Sequence, residues 1–174
     1  MSTNIQILGL ILSLINYGFV FLLVFNLLKV NYFNPIVSLF VKIYRPISKI
    51  LGLFPVQSVN IFLIAIVLKF ASLTIYFGTQ YDALVLIGVA VIQTLMITTR
   101  VIFFALIGGV ILSWVSPQNS NAFIELIEEI SSKTLKPIRK YIPSAGGLDF
   151  SPLFVLVLIN LIEGFLSDIL RYIV

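Results

Sequence analysis

Four apolar runs constrain this chain more than any other feature: Ile7 to Leu28, Val59 to Phe77, Ala83 to Val115 and Leu153 to Val174. Each is close to or longer than the ~20 apolar residues a helix needs to cross a hydrocarbon core of about 30 Å. No water is present in that core to satisfy backbone N–H and C=O groups, so a segment of this kind spans as a helix. The expected fold is an all-α membrane protein with about four transmembrane helices. Composition agrees, since 60% of the 174 residues are hydrophobic and only 10% are charged, far from the balance of a water-soluble domain. The third run would make roughly 50 Å of helix at 1.5 Å per residue. One tilted helix is expected there, in preference to a break at Thr98, Thr99 and Arg100.

The charges sit in short blocks between these runs. From Asn34 to Pro55, Asn34 reads as an N-cap with Pro35 in the first turn. Ile36, Leu39, Phe40, Ile43, Ile47, Ile50 and Phe54 follow one helical face, and Lys42, Arg45 and Lys49 carry the charge. A helix lying in the membrane interface suits this pattern, with Pro46 expected to kink or restart it. From Ser116 to Pro152 the design recurs. Pro117, Asn119, Ser120 and Asn121 form a turn and cap, and Ile124, Ile127, Ile130, Leu135 and Ile138 form an apolar face. Glu125, Glu128 and Glu129 favour the helix start, with Lys133 and Lys136 towards its end. The trios Arg45-Pro46-Ile47 and Lys136-Pro137-Ile138 stand about 90 residues apart, indicating two tandem repeats, residues 1–80 and 81–174. Each repeat brings two spans and one basic amphipathic segment. An even number of spans gives the repeats the same orientation.

Lys and Arg set the expected topology: both basic segments are cytoplasmic and both termini are outside, because the turn from Gly78 to Asp82 carries no basic residue. Met1 to Gln6 also lack Lys and Arg, and no small-residue cleavage pattern follows the first run, so that run is expected to remain as a span.

Four charged residues fall inside the spans: Lys69, Arg100, Glu163 and Asp168. A charge at helix centre costs about 2.5–3.5 kcal/mol on insertion scales, so partners are expected. Counting residues from the cytoplasmic ends gives matching depths for Lys69 with Glu163 and for Arg100 with Asp168. Structural pairing is preferred over an ion or proton path, because no cluster of Ser, Thr and Asn surrounds the four. Lys42, Arg45, Lys49, Lys136, Arg139 and Lys140 are expected to meet anionic lipid headgroups at about 1 kcal/mol each, or to face a protein partner. The loop Gly146, Gly147, Leu148, Asp149, Phe150, Ser151 and Pro152 is expected to turn on its glycines and cap the last span through Asp149 or Ser151.

The chain has no cysteine and no histidine, which removes disulfides, thiolate nucleophiles and imidazole bases. Neither a phosphate-binding loop nor a nucleophile elbow occurs. No enzymatic role and no cofactor is expected, and nucleic acid is an unfavoured partner because no basic groove interleaved with aromatics is visible.

The run Leu135-Lys136-Pro137-Ile138-Arg139-Lys140-Tyr141-Ile142-Pro143, followed by Gly146-Gly147-Leu148-Asp149-Phe150-Ser151-Pro152 and preceded by Ser113-Trp114-Val115, resembles the YggT family of bacterial inner-membrane proteins, related to the YlmG proteins of other bacteria and plastids. Phe33-Asn34-Pro35 and Arg45-Pro46-Ile47 extend the likeness to the first half. The resemblance implies two tandem repeats and a role in envelope or osmotic stress, cell division and nucleoid distribution, or, in plastids, assembly of a b-type cytochrome. Members often carry an Arg in the first span, where this chain has Leu22, Leu23 and Val24, so no role of that Arg transfers. The expected function is envelope organisation or assembly support in the bacterial inner membrane, through the basic helices and with a membrane-protein partner or a second copy. The alternative is a small oligomeric ion transporter using Lys69, Glu163, Arg100 and Asp168.

Overall fold

The computed structural model describes residues 3–115, 121–142 and 149–174, and every described element is helical. In chain order these are α1 (Thr3–Leu27), α2 (Pro35–Leu51), α3 (Gln57–Phe77), α4 (Ala83–Val115), α5 (Ala122–Ile138) and α6 (Ser151–Ile173). The helices α1, α3, α4 and α6 are long and apolar enough to cross a membrane, so the protein is a multi-pass membrane protein with two shorter amphipathic helices. The order long, short, long occurs twice along the chain.

Helix boundaries follow local chemistry. The Oδ1 atom of Asn34 accepts the Ile36 amide at 2.9 Å and Pro35 opens α2; Asn121 likewise accepts the Phe123 and Ile124 amides, each at 3.0 Å, satisfying donors that a helix start leaves free. The end of α1 closes with paired bonds from Lys29 N to Asn26 O (3.2 Å) and Val30 N to Phe25 O (2.9 Å). That closure needs a left-handed residue, and Lys29 supplies it at φ 52°. At Pro46 α2 does not restart but runs on as one helix.

Helices α1 and α3 pack antiparallel with polar contacts at regular depths. Tyr76 Oη donates to Gln6 O at 2.8 Å, Ser72 Oγ to Gly9 O at 2.9 Å, and Asn16 Nδ2 to Ala65 O at 2.7 Å. Gly9 makes room for Tyr76 here, because a Cβ would lie 2.8 Å from its ring and the ring would have to shift. Around these contacts Phe19, Val20, Leu22, Leu23, Ile61, Ala65 and Ile97 form the buried centre, with Tyr44 of α2 closing one end.

As expected, α4 is one continuous helix. Its length is accounted for by α5, which lies across it: Leu126 and Ile130 join Ala105 in one apolar cluster, and Leu135 joins Leu106 in another. Gly108 and Gly109 make that approach close, since a Cβ at Gly108 would lie 2.9 Å from Ile127 Cγ2 and one at Gly109 would collide with the Ser131 side chain. If α5 marks the bilayer surface, the embedded part of α4 is roughly 39 Å long at 1.5 Å per residue, which fits a bilayer of about 40–45 Å including headgroups. Of the remaining residues, Ile111, Trp114 and Val115 are exposed.

Candidate interfacial and intramembrane sites

Two sets of groups stand out: those gathered at the end of the bundle that carries α2 and α5, and the charges within the spans. At the bundle end, α2 and α5 are joined start to start. Asn34 caps its own helix with Oδ1 and uses Nδ2 to donate to Ala122 O at 2.7 Å. Glu129 Oε1 accepts the Asn31 amide at 2.9 Å and pairs with Lys133 at 2.7 Å, and the Lys133 ammonium also donates to Lys29 O. One face of this joined layer packs on the spans through Val24, Phe25, Val30 and Val37. Lys42, Arg45, Lys136, Arg139 and Lys140 are exposed on it. Lys42 and Arg45 border a groove of about 510 Å³ with Tyr32, Ser38 and Gln57, wide enough for a phosphate-bearing headgroup. Lys49 lies in α2 by position.

The residues carrying the sequence resemblance converge from three helices. A cleft of about 520 Å³ is lined by Gly109, Ser113 and Trp114 of α4, Ser131, Leu135 and Arg139 at α5, and Asp149, Pro152 and Leu153 at the start of α6. Arg139 Nε donates to Asp149 Oδ2 at 2.8 Å, while Asp149 Oδ1 accepts the Ser151 amide at 2.9 Å. Asp149 therefore holds the α5 end and the first turn of α6 together, with Pro152 in that turn. Of the two residues expected to cap α6, Asp149 accepts the first helical amide from just outside the helix, while Phe150 stands at the N-cap itself with no side-chain cap bond; Gly146 and Gly147 lie outside the described residues.

Burial by itself would raise the Asp149 pKa, but hydrogen bonding from Ser151 and the neighbouring Arg139 guanidinium outweigh it and hold the carboxyl below its usual range. A depressed carboxylate stabilises the fold above the ordinary Asp range and loses that contribution as pH falls through the folded value. The pair is partly exposed, so its contribution is small, under about 1 kcal/mol. Lowering the pH below roughly 4 is expected to loosen the cleft. Fluorescence of Trp114, the only tryptophan in the chain, reports this, and Asp149→Asn should show the loosened emission already at neutral pH. An Asp149→Asn emission identical to wild type at both pH values would show that Asp149 does not clamp the cleft.

Within the spans the structure corrects the expected pairing. Glu163 meets Arg100, at 3.6 Å from Nε, and accepts the Thr99 hydroxyl at 3.4 Å. Asp168 meets Arg171 one turn along its own helix, at 3.8 Å. Lys69, half-buried on α3, has no hydrogen-bond or ion-pair partner among the described residues. Depth alone could not reveal this. The helix α3 packs on α1 and α4, whereas α6 packs on α4 and α5, so two charges at one depth can stand on different sides of α4. Arg171, only three residues from the chain's last residue, is the charge that depth counting missed. Its i,i+3 spacing from Asp168 was the available signal.

No solved structure matches the chain. A family model described as CCB3/YggT matches residues 88–170, the stretch holding α6 through Leu170, α5 and most of α4. The chain is 32% identical over 146 residues to a Haemophilus influenzae protein named "Uncharacterized protein", covering 82% of this chain and 79% of the relative. It is 30% identical over 147 residues to the "Uncharacterized protein YggT" of Escherichia coli K12, covering 81% and 77%. A Pseudomonas aeruginosa protein is 42% identical over 74 residues, covering 42% of this chain and 38% of that one. None of these names assigns an activity. The family match takes in the residues of the convergent cleft, the two longer likenesses extend over about four-fifths of the chain, and the chain belongs to the YggT family.

Proposed function

We propose that the protein is a non-enzymatic organiser of the bacterial inner membrane that presents a rigid basic platform, α2 joined to α5, to anionic headgroups and to an envelope protein assembled there. The observation that carries this reading is the join itself. Asn34, Asn31, Glu129 and Lys133 tie the two amphipathic helices into one layer, and its exposed cations are held at fixed positions. Paired helices with only an orienting role would need no such ties. Residues 1–80 and 81–174 are read as two parallel repeats, supported by the repeated long, short, long order and by α2 and α5 lying at the same end. The positive-inside rule places that end in the cytoplasm and both termini outside.

Topology is directly testable because the chain contains no cysteine. Gln80→Cys, in the turn between α3 and α4, is expected to react with a membrane-impermeant maleimide in intact spheroplasts, while Lys140→Cys reacts only after permeabilisation. The reverse pattern would put the platform on the wrong side for this role. For the function itself, photo-crosslinkers at Lys42 and Lys136 are expected to capture the same membrane protein, with capture lost on reversing Arg45 and Lys140 to Glu. Ion flux in proteoliposomes that disappears with Glu163→Gln would overturn the proposal in favour of a transporter.

A further inference from the structure

Helix α6 is the least covered of the four spans, and its uncovered surface is not uniformly apolar. At 3.6 residues per turn, Asn160, Gly164, Ser167 and Arg171 fall on one line along the helix, about 145° around from the line of Ser151, Val155, Ile159 and Leu166 that packs inward. Asp168 borders the same line. Asn160 is exposed, and its Nδ2 donates to Leu156 O of its own helix at 2.9 Å; among the described residues its Oδ1 accepts nothing. Gly164 is exposed too, and a Cβ there would meet nothing within 4 Å. The Asp168 and Arg171 side chains are 77% and 81% exposed, with only the 3.8 Å contact between them.

Counting 1.5 Å per residue from Ser151, Asn160 lies about 14 Å in and Gly164 about 20 Å in, within hydrocarbon, while Asp168 and Arg171 approach the opposite surface. An amide with open hydrogen-bonding capacity facing lipid tails is unfavourable, because nothing there replaces water. A small residue with clear space beside such an amide is the arrangement by which two transmembrane helices bring their backbones together.

We propose that this stripe is the contact between two copies of the chain, packed α6 against α6 about a two-fold axis along the membrane normal. The occupant is identified by the chemistry of the stripe. Copies inserted in one orientation can be related only by an axis along the normal, which sets equal depths opposite each other. Asn160 is both donor and acceptor and so complements itself. Asp168 and Arg171, one turn apart, form a neutral pair whose complement is the same pair from the second copy, giving two ion pairs across the axis. Gly164 lies between, where the helices cross. Glu163 does not take part, being turned to Arg100 on α4. This inference is independent of the basic platform.

The test uses the full chain in native membranes and in lipid nanodiscs. With no native cysteine, Ser167→Cys is expected to form a disulfide-linked dimer on mild oxidation, whereas Phe165→Cys, exposed on the far side of α6, is not. In nanodiscs the protein should run at twice the 19.5 kDa chain mass. Gly164→Leu should lower the dimer fraction by about tenfold. Asn160→Leu should lower it while leaving the monomer at least as resistant to heat, which separates a lost contact from a lost fold. Asp168→Arg should weaken the dimer and Asp168→Arg with Arg171→Asp should restore it. Equal crosslinking at positions 165 and 167, a monomer in nanodiscs, or a position-167 crosslink only to a different protein would each overturn the proposal.

Discussion

Gly109→Val is expected to lower the thermal midpoint of the detergent-solubilised protein by roughly 5–10 °C, corresponding to about 3 kcal/mol, the upper end of the cost of overpacking. The effect is large because the obstruction is the Ser131 side chain on a helix that cannot retreat. Helix α5 is fixed to the cap of α2 through Asn34, to the α1–α2 turn through Glu129 and Lys133, and to α6 through Arg139 and Asp149. A branched side chain at Gly109 must therefore displace a whole joined layer. Trp114, one turn and a half further along α4 and lining the same cleft, gives the fluorescence readout. Gly18→Ala is the control: the nearest atom to its Cβ would be Phe40 Cε1 at 3.7 Å, an ordinary contact, so its midpoint should match wild type. If Gly109→Val melts with wild type, the close crossing of α4 and α5 is not what holds the amphipathic layer in place.

Lys69→Met is expected to act in the other direction, keeping the fold and raising stability by up to about 2–3 kcal/mol, the insertion cost of a charge in the bilayer. Depth matching with Glu163 argues for loss of assembly on removing Lys69, but the structure gives that carboxylate to Arg100 and leaves the ammonium with no carboxylate among the described residues. Methionine retains the apolar stem that packs between helices and removes only the charge. Glu163→Leu should do the opposite, since it strands Arg100 in the span. Steady-state abundance in membranes and thermal unfolding of the purified protein check both. A lower midpoint for Lys69→Met would show that the lysine is held by a stabilising contact.

These two positions also show where sequence was sufficient. Run length placed all four spans, because the thickness of the hydrocarbon acts on each helix separately; the bounds moved by only a few residues. The Asn34 and Asn121 caps were equally legible, since capping depends on residues within one turn. The azimuth and axial offset of a helix against its neighbours are not local properties, and so counting residues into each span misassigned the partner of Glu163, which is Arg100. Pro46 does not restart the helix: a proline forfeits one backbone bond, and α2 continues through it with Tyr44 and Ile47 packed in the same cluster. Gly108 and Gly109 sat unremarked inside an apolar run, where nothing in the run itself indicates that a second helix crosses there. The residues of the Arg139–Asp149 cleft were singled out as motif fragments, and only the fold brings them to one place.

The ties between α2 and α5 have a consequence for how the chain is made. Asn34 needs the carbonyl of Ala122, and the Lys29–Asn31 turn needs Glu129 and Lys133, groups 88 to 104 residues further along. At about 5–20 residues per second of synthesis, that is a wait of roughly 5–20 s during which the first half is already in the bilayer with its α1–α2 turn incomplete. The α1–α3 pair, closed by its own hydrogen bonds, can stand through that interval. The second half then arrives as the template on which the first half's amphipathic helix takes its final seat, so the two halves are assembled in sequence.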